Sequence, residues 1–485
     1  MNLIILPNQL FPLKLIQKKL KNIEHIYLIE EPRFFTDFRF HKLKIMYHRA
    51  SMKKYKDTIK SIDVSYIDYH NVDIKLYDKL NTDKTYYFNP IDHKLFNKFK
   101  KYLNKSNMID SINFLLIPNE IEENKDIFYR NDKYSHESFY KFQRQRLDIL
   151  MKNNKPVGDK WSYDTENRKP LPKKITIPPI PKNKKDKYYK EALVYIEKNF
   201  PANYGSTSEW PFPIDTVNAI KWLKNFIDKR LVHFGPYEDA VDPSNPFLFH
   251  SVLSPMMNIG ILPDILVVKI TNDYYIKHKT KIPIASFEGF IRQVIGWRNY
   301  VYSIYMLEPT MYNKNFLNFN NKIDERYWLA TTDIKPIDTI ITNIVKYSYV
   351  HHIERLMYLG NWFLINMIDP KEVYRIFMEW TIDAYDWVMV PNVMGMSQYA
   401  DGGRMMTRIY FSSSNYIDKM STFKKSKTED WWKIWDAIYY SFINKNIGIL
   451  ENNYATARQV KHWKNKTQSE KNKLLQIAHD YQKKL

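Results

Sequence analysis

The stretch KKITIPPIPKNKKDK (173–187) constrains this chain more than any other. Prolines at 178, 179 and 181 remove backbone donors and fix φ, and lysines crowd around them. Neither a helix interior nor a central strand tolerates that combination, so the segment reads as an extended, polyproline-like connector. It parts two halves of different periodicity. Before it, short apolar runs alternate with helical spacers: MNLIIL (1–6), HIYLIE (25–30), SYIDY (65–69), TYYF (85–88) and INFLLIP (112–118), with a helix expected over 38–60. After it, apolar residues recur every three and four positions over 217–229, 287–307, 339–367, 371–388 and 431–442, and a polar, Lys-rich tail follows from 459. The expected architecture is an α/β N-terminal domain with a parallel, Rossmann-like sheet (1–135), an extended interdomain linker (136–187) and a large all-helical domain (188–485). No GxGxxG is present, so a standard dinucleotide site in the first half is not expected.

Composition narrows the function. The 485 residues include no cysteine, which excludes disulfides, thiolate metal sites, cysteine nucleophiles and cysteine-ligated iron–sulfur clusters. MNLIILPNQLF has neither a basic start nor a long apolar run, and no apolar segment reaches membrane-spanning length; an intracellular protein is expected. A net charge of +21 suits a polyanionic partner. The excess is carried by 58 lysines against 16 arginines, and arginine is the better phosphate fork, so charge alone is a weak signal. Aromatic residues make up 16% of the chain, which suits stacking on flat ligands.

Four motifs carry candidate chemistry. DAYDWVMVPNVMGMSQYADGG (383–403) mixes acids, an asparagine and paired glycines with aromatics, as either a cofactor wall or a polar helix–loop–helix corner. In FHSVLSPMMNIG (249–260), Ser251 and Ser254 flank Leu253 ahead of Pro255; this is a phosphate cradle at a helix start or a plain N-cap. FEGFIRQVIGWRNY (287–300) puts Gln293 and Arg298 on one helix, facing a flavin or phosphate, or solvent. In YVHHIERLM (349–357), the adjacent His351 and His352 point about 100° apart on a helix, so they are not a zinc pair of the HExxH kind; one can act as a proton donor and the other as structure.

LIILPNQL (3–10), QRQRLDILM (143–151) with KPVGDKWSYDTENRKPLP (155–172), FGPYEDAV (234–241), FHSVLSP, FEGFIRQVIGWR, YVHHIERLM and WVMVPNVMGMSQYADGG follow one another in this order. Together they resemble the photolyase/cryptochrome superfamily, and within it the prokaryotic (6-4) photolyases, also called iron–sulfur bacterial cryptochromes and photolyases. The resemblance implies an α/β antenna domain, a helical domain holding FAD, and light-driven electron transfer to a pyrimidine lesion flipped out of UV-damaged DNA. It implies that Ser251, Leu253 and Ser254 hold the FAD diphosphate. Gln293, Arg298, Asp383, Asp386, Asn392, Asp401 and Gly402 become flavin contacts. His352, assisted by His351, is the acid toward a (6-4) photoproduct, and Tyr410 and Tyr416 line the lesion pocket. Trp328, Trp380 and Trp387 are candidates for electron transfer, and Arg404, Arg408, Lys424 and Lys427 for DNA contact. A DNA photolyase acting as a monomer is expected, with (6-4) photoproducts favoured over cyclobutane dimers; a blue-light photoreceptor is the alternative.

The chain also departs from that family. Where its members carry four cluster cysteines, this sequence has Pro336, Lys424, Lys427 and a position near Lys433, so no iron–sulfur cluster and no other metal is expected, and the lysines are expected on DNA phosphates. Ile376 and Phe377 replace a Trp-Tyr electron-transfer pair. Met389 replaces a glutamate near the flavin. Phe34 and Asp37 stand where a lumazine antenna is held, so the antenna chromophore stays unassigned.

Overall fold

The computed structural model describes residues 1–483. Its N-terminal half is a five-stranded parallel sheet: β1 (Asn2–Ile5), β2 (His25–Ile29), β3 (Asp63–Ile67), β4 (Thr85–Phe88) and β5 (Met108–Ile109). The order is β3-β2-β1-β4-β5, with Ile4 paired to Tyr27 on one side and Tyr87 on the other. This is the doubly wound arrangement, in which right-handed crossovers place helices on both faces. The central strand is fully buried, with Leu3, Ile4 and Ile5 all at 0% exposure, as strands covered on both faces require. Asp73 and Asp92 cap the helices Ile74–Leu80 and His93–Tyr102 by accepting backbone N–H bonds, closing their open first turns.

INFLLIP (112–118) is not the fifth strand. Its apolar side chains are used against the helical half instead: Phe114 stacks on Tyr302 with ring centroids 3.8 Å apart, and the Leu115 N–H donates to Asn299 Oδ1 at 2.9 Å. The helix Lys42–Thr58 is largely buried: it packs on the helix Lys187–Asn199, and its Lys44 and Tyr47 donate to the carbonyls of Met378, Ala384 and Pro213 in the second half of the chain. Arg49 joins these helices through Glu191 at 2.6 Å and reaches the fully buried Glu30 at 2.7 Å.

The segment 136–172, expected as connector, is folded. It holds the helix His136–Arg146 and a two-stranded hairpin, Met151–Lys152 against Lys155–Pro156. Arg144 is fully buried and donates to the carbonyls of Ile149, Leu150, Lys160 and Trp161, which pins this stretch against itself. The Pro-rich run that follows is extended up to the helix at Lys187. Beyond it the chain is helical to the end. Two expected long helices are broken: 339–367 divides after Tyr347, where Ser348 takes φ +52, and 371–388 divides after Trp380. Among the described residues no helix is long and apolar enough to cross a membrane.

Candidate functional site

The helical half encloses a cavity of about 950 Å³. Three helices wall it, and each loosens into a π-turn where it does so: Arg292–Arg298, Glu354–Gly360 and Pro391–Ser397. Each π-turn carries a glycine, Gly296, Gly360 and Gly395, at a point of close approach; a Cβ on Gly395 would lie 2.5 Å from Met405 Sδ. π-turns concentrate at functional sites because the extra residue re-aims side chains out of the α repeat. Here they aim Gln293, Arg298, Arg355 and Asn392 into the cavity.

The inner end is a fixed polar network. Asp383, 5% exposed, accepts from Arg355 Nη2 at 2.8 and 3.0 Å and from Ser254 Oγ at 2.5 Å, while its carbonyl accepts from Asn258 Nδ2 at 2.7 Å. Asn258 Oδ1 in turn accepts from Arg298, whose Nε donates to the buried Asp264 at 2.6 Å. The Arg298 guanidinium lies 4.7 Å from the Trp387 ring centroid, and its Nη2 is buried without a hydrogen-bond partner among the described residues. Ser251, Leu253 and Ser254 line the same end. The Ser254 hydroxyl is committed to Asp383, so of the expected pair only Ser251 keeps a hydroxyl for a ligand. Asn392 lines the wall and accepts from Trp297 Nε1 at 3.2 Å.

The outer end gathers His351, His352, Tyr410 and Tyr416 around the same space, with Arg168, Arg408 and Lys419 beside them. His351 is 2% exposed, whereas the His352 side chain is 49% exposed and its Nε2 lies 3.5 Å from Asp239 Oδ1. Burial raises both tyrosine hydroxyls above their ordinary range, so they are neutral donors at physiological pH. Arg292, lining the same cavity, lies 3.3 to 3.5 Å from Asp164, Glu238 and Glu288. Burial still pushes the Glu238 carboxyl up to about 8.

A (6-4) photolyase from Agrobacterium fabrum is 37% identical over 335 residues, covering 67% of this chain and 66% of that protein, just under two thirds of its length. The chain belongs to the photolyase/cryptochrome superfamily. The family described as deoxyribodipyrimidine photo-lyase-related protein matches residues 3–212. An uncharacterized protein of Acanthamoeba polyphaga mimivirus is 48% identical over 91 residues, covering 19% of this chain and 72% of that protein. Among solved structures, a class III photolyase from Agrobacterium tumefaciens superposes with TM-score 0.59 at 14% identity, over 99% of this chain and 98% of that one. A Synechocystis cryptochrome superposes with TM-score 0.57 at 11% identity, over 100% and 98%. These two likenesses bear on the photolyase/cryptochrome fold alone.

Several expected site residues lie outside the cavity. Asp386 sits between the two halves, accepting from Arg33 at 3.3 Å, Tyr305 at 2.5 Å and Tyr374. Arg33 also binds Asp92 at 2.8 Å. The gap beside them, between Phe34, Lys44 and Tyr385, is about 10 Å³. Asp401 braces its own loop, accepting from Gly403 N at 2.9 Å and Met405 N at 2.7 Å, and burial lifts its carboxyl to about 6. Gly402 and Gly403 both take positive φ, +73 and +87, which turns that loop. Arg404 is consumed by Glu308 at 2.7 Å and Asp132 at 2.8 Å. Trp328 and Trp380 pack edge to face at 5.6 Å and do not line the cavity. Lys424 and Lys427 are exposed and do not line the cavity, and Lys424 donates to the Asp418 carbonyl. Where superfamily members with a cluster would place cysteines, Pro336 opens the helix Lys335–Tyr347, and the preceding Lys335 pairs with Glu429 of the facing loop.

Sequence reasoning overlooked Arg355, Asn258, Asp239, His250, Arg292, Glu238, Lys419 and Trp161, all of which line the cavity. Most lie inside motifs already singled out. Arg355 follows the histidine pair by three residues, and Asp239 sits in FGPYEDAV.

Proposed function

We propose that this chain is a light-driven, FAD-dependent lyase that repairs (6-4) photoproducts in UV-damaged DNA. The observation that carries the reading is the convergence of His352, Tyr410 and Tyr416 at one end of a cavity whose other end is the Arg355–Asp383–Ser254 network. The residues fit FAD. The volume is that of a large ligand site, and a flat ring system can lie among Arg298, Trp387 and Met389. The buried Arg298 Nη2 lacks a partner that a flavin oxygen or phosphate would provide. Ser251, Gln293, Arg298, Arg355, Asp383 and Asn392 are the residues assigned to hold it. When bound, reduced FAD would supply the photo-excited electron.

The chain's own residues do the rest. Asp239 Oδ1, 3.5 Å from His352 Nε2, orients that imidazole at the end of the cavity assigned to the lesion, where it can serve as the proton donor. Neutral Tyr410 and Tyr416 offer hydroxyl donors there. Arg168, Arg408 and Lys419 at the mouth meet phosphates flanking an extruded nucleotide. A (6-4) lesion needs a proton at its transferred hydroxyl, which a cyclobutane dimer does not, and this favours the (6-4) assignment.

The test is illumination of the purified, reduced protein with DNA carrying either lesion, followed by quantification of restored bases. The reading expects (6-4) repair that is lost in His352→Ala while bound flavin persists. Repair of cyclobutane dimers alone would overturn the lesion assignment. Repair of neither would leave a photoreceptor.

A further inference from the structure

Three histidines meet at the outer end of the cavity, and the reading above uses one of them. His250, His351 and His352 each offer a ring nitrogen such that the three atoms lie within 4.8 Å of one another. Two of the rings are buried, His250 at 5% and His351 at 2% exposure. His250 Nε2 lies 2.9 Å from the Glu238 carbonyl. A carbonyl only accepts, so the proton sits on Nε2 and Nδ1 keeps a bare lone pair, buried and without a hydrogen-bond partner. Among the described residues His351 has no hydrogen bond at either ring nitrogen, and the nearest acid to its Nε2 is Glu354 Oε2 at 3.5 Å. Its ring lies nearly parallel to that of His250, with centroids 4.1 Å apart and planes 18° apart.

Buried imidazoles are ordinarily hydrogen-bonded, and two adjacent ones with vacant nitrogens call for a partner. The nature of that partner follows from the donors. An imidazole tethered by one N–H to a backbone carbonyl, with its other nitrogen bare, is how proteins fix a histidine that ligates a metal.

We propose that His250, His351 and His352 form a binding site for a borderline transition-metal dication, zinc foremost. The donor set selects the metal class: three imidazoles suit zinc, cobalt, nickel or copper, whereas magnesium and calcium require oxygen shells. Tetrahedral zinc brings its nitrogens to about 3.3 Å apart, so the rings must close by roughly 1.5 Å. His351 can turn about its Cβ–Cγ bond at the expense only of its 3.5 Å contact with Glu354 Oε2, and the half-exposed His352 has room to follow. Metal binding rests on these side chains alone. Its consequence rests on the proposed function: a zinc-bound His352 cannot donate its proton, so occupancy turns lesion repair off reversibly.

The experiment uses the full-length, flavin-loaded protein after chelator treatment, in the dark and without DNA. Zinc chloride is titrated calorimetrically, and cobalt(II) chloride is titrated by visible absorption. The site predicts one saturable zinc equivalent at micromolar or tighter affinity and the intense bands of tetrahedral cobalt. Excess magnesium should not displace either metal. His250→Ala, which leaves the lesion-facing residues in place, should weaken binding by at least about tenfold. A flat cobalt spectrum in the wild-type protein overturns the proposal without needing any variant. So does a zinc affinity unchanged in both His250→Ala and His351→Gln. Because neither readout involves repair, a metal-binding protein that repairs nothing defeats the proposed function and leaves the site standing.

Discussion

Glu354 gives a prediction that does not depend on any ligand. Its side chain is fully buried behind His351; Oε2 accepts the His351 N–H at 3.1 Å, and Oε1 has no hydrogen-bond partner. Burial is the main influence and lifts its carboxyl from an ordinary 4.5 to about 8, against smaller opposing pulls from the His351 N–H and Arg355. The folded protein therefore retains a proton that the unfolded chain releases on passing 4.5. Stability from this group is complete below that value and is lost as pH climbs toward 8. At 1.36 kcal/mol per unit, the loss is about 1 kcal/mol near pH 5 and about 4 kcal/mol near pH 8. Glu354→Gln has the shape of the protonated acid and cannot titrate. Urea denaturation of wild type and variant at about pH 5, 6.5 and 8 should show the variant gaining steadily on wild type as pH rises. A stability difference that stays constant across that range would refute the reasoning, because it would mean that Glu354 is ionised, or neutral, throughout.

Three further outcomes are expected. Arg33→Met strands Asp92 and Asp386 between the two halves without their shared cation, and should cost about 3–5 kcal/mol in thermal or chemical unfolding; a loss under about 1 kcal/mol would show that the joint is held elsewhere. Asp383→Asn weakens the grip on Arg355 and should lower the ratio of flavin to protein absorbance after purification, whereas an unchanged ratio would remove Asp383 from the cofactor wall. Lys424→Glu combined with Lys427→Glu should weaken DNA binding and reduce the slope of log affinity against log salt by about 2 if each lysine meets a phosphate; since neither lines the cavity, an unaltered slope would confine the DNA footprint to Arg168, Arg408 and Lys419.

Some of this was readable from residue patterns and some was not. β1, β2 and β4 are dense apolar runs bounded by turn residues, and period and composition agree there. INFLLIP carries the same pattern, yet its partners are Tyr302 and Asn299, nearly two hundred positions away, and local pattern carries no information about such a partner. The motif residues His351, His352, Tyr410, Tyr416, Ser251, Arg298 and Asp383, drawn from separate motifs, line one cavity. Asp386 and Asp401 did not join them, although each lies within a few residues of a wall residue. A buried carboxylate near a cavity looks the same in sequence whether it faces a ligand, an arginine of the other domain or its own loop. Asp239 and Arg355 were missed for the opposite reason: they sit in recognised motifs, but only the fold places one against His352 and the other against Asp383.

The three π-turns make the cavity wall sensitive to length in a way that it is not sensitive to identity. A side-chain swap at Met389 or Val393 alters one surface patch. Removing a single residue from Arg292–Arg298, Glu354–Gly360 or Pro391–Ser397 would let that segment relax into ordinary α-helix. Everything downstream would then rotate by about 100° about the helix axis. Deleting Gly395, for example, would swing Met396 and Ser397 off the wall they now line, while the helix itself became more regular. Insertions and deletions, which surface loops absorb readily, are thus the changes these three stretches can least accommodate.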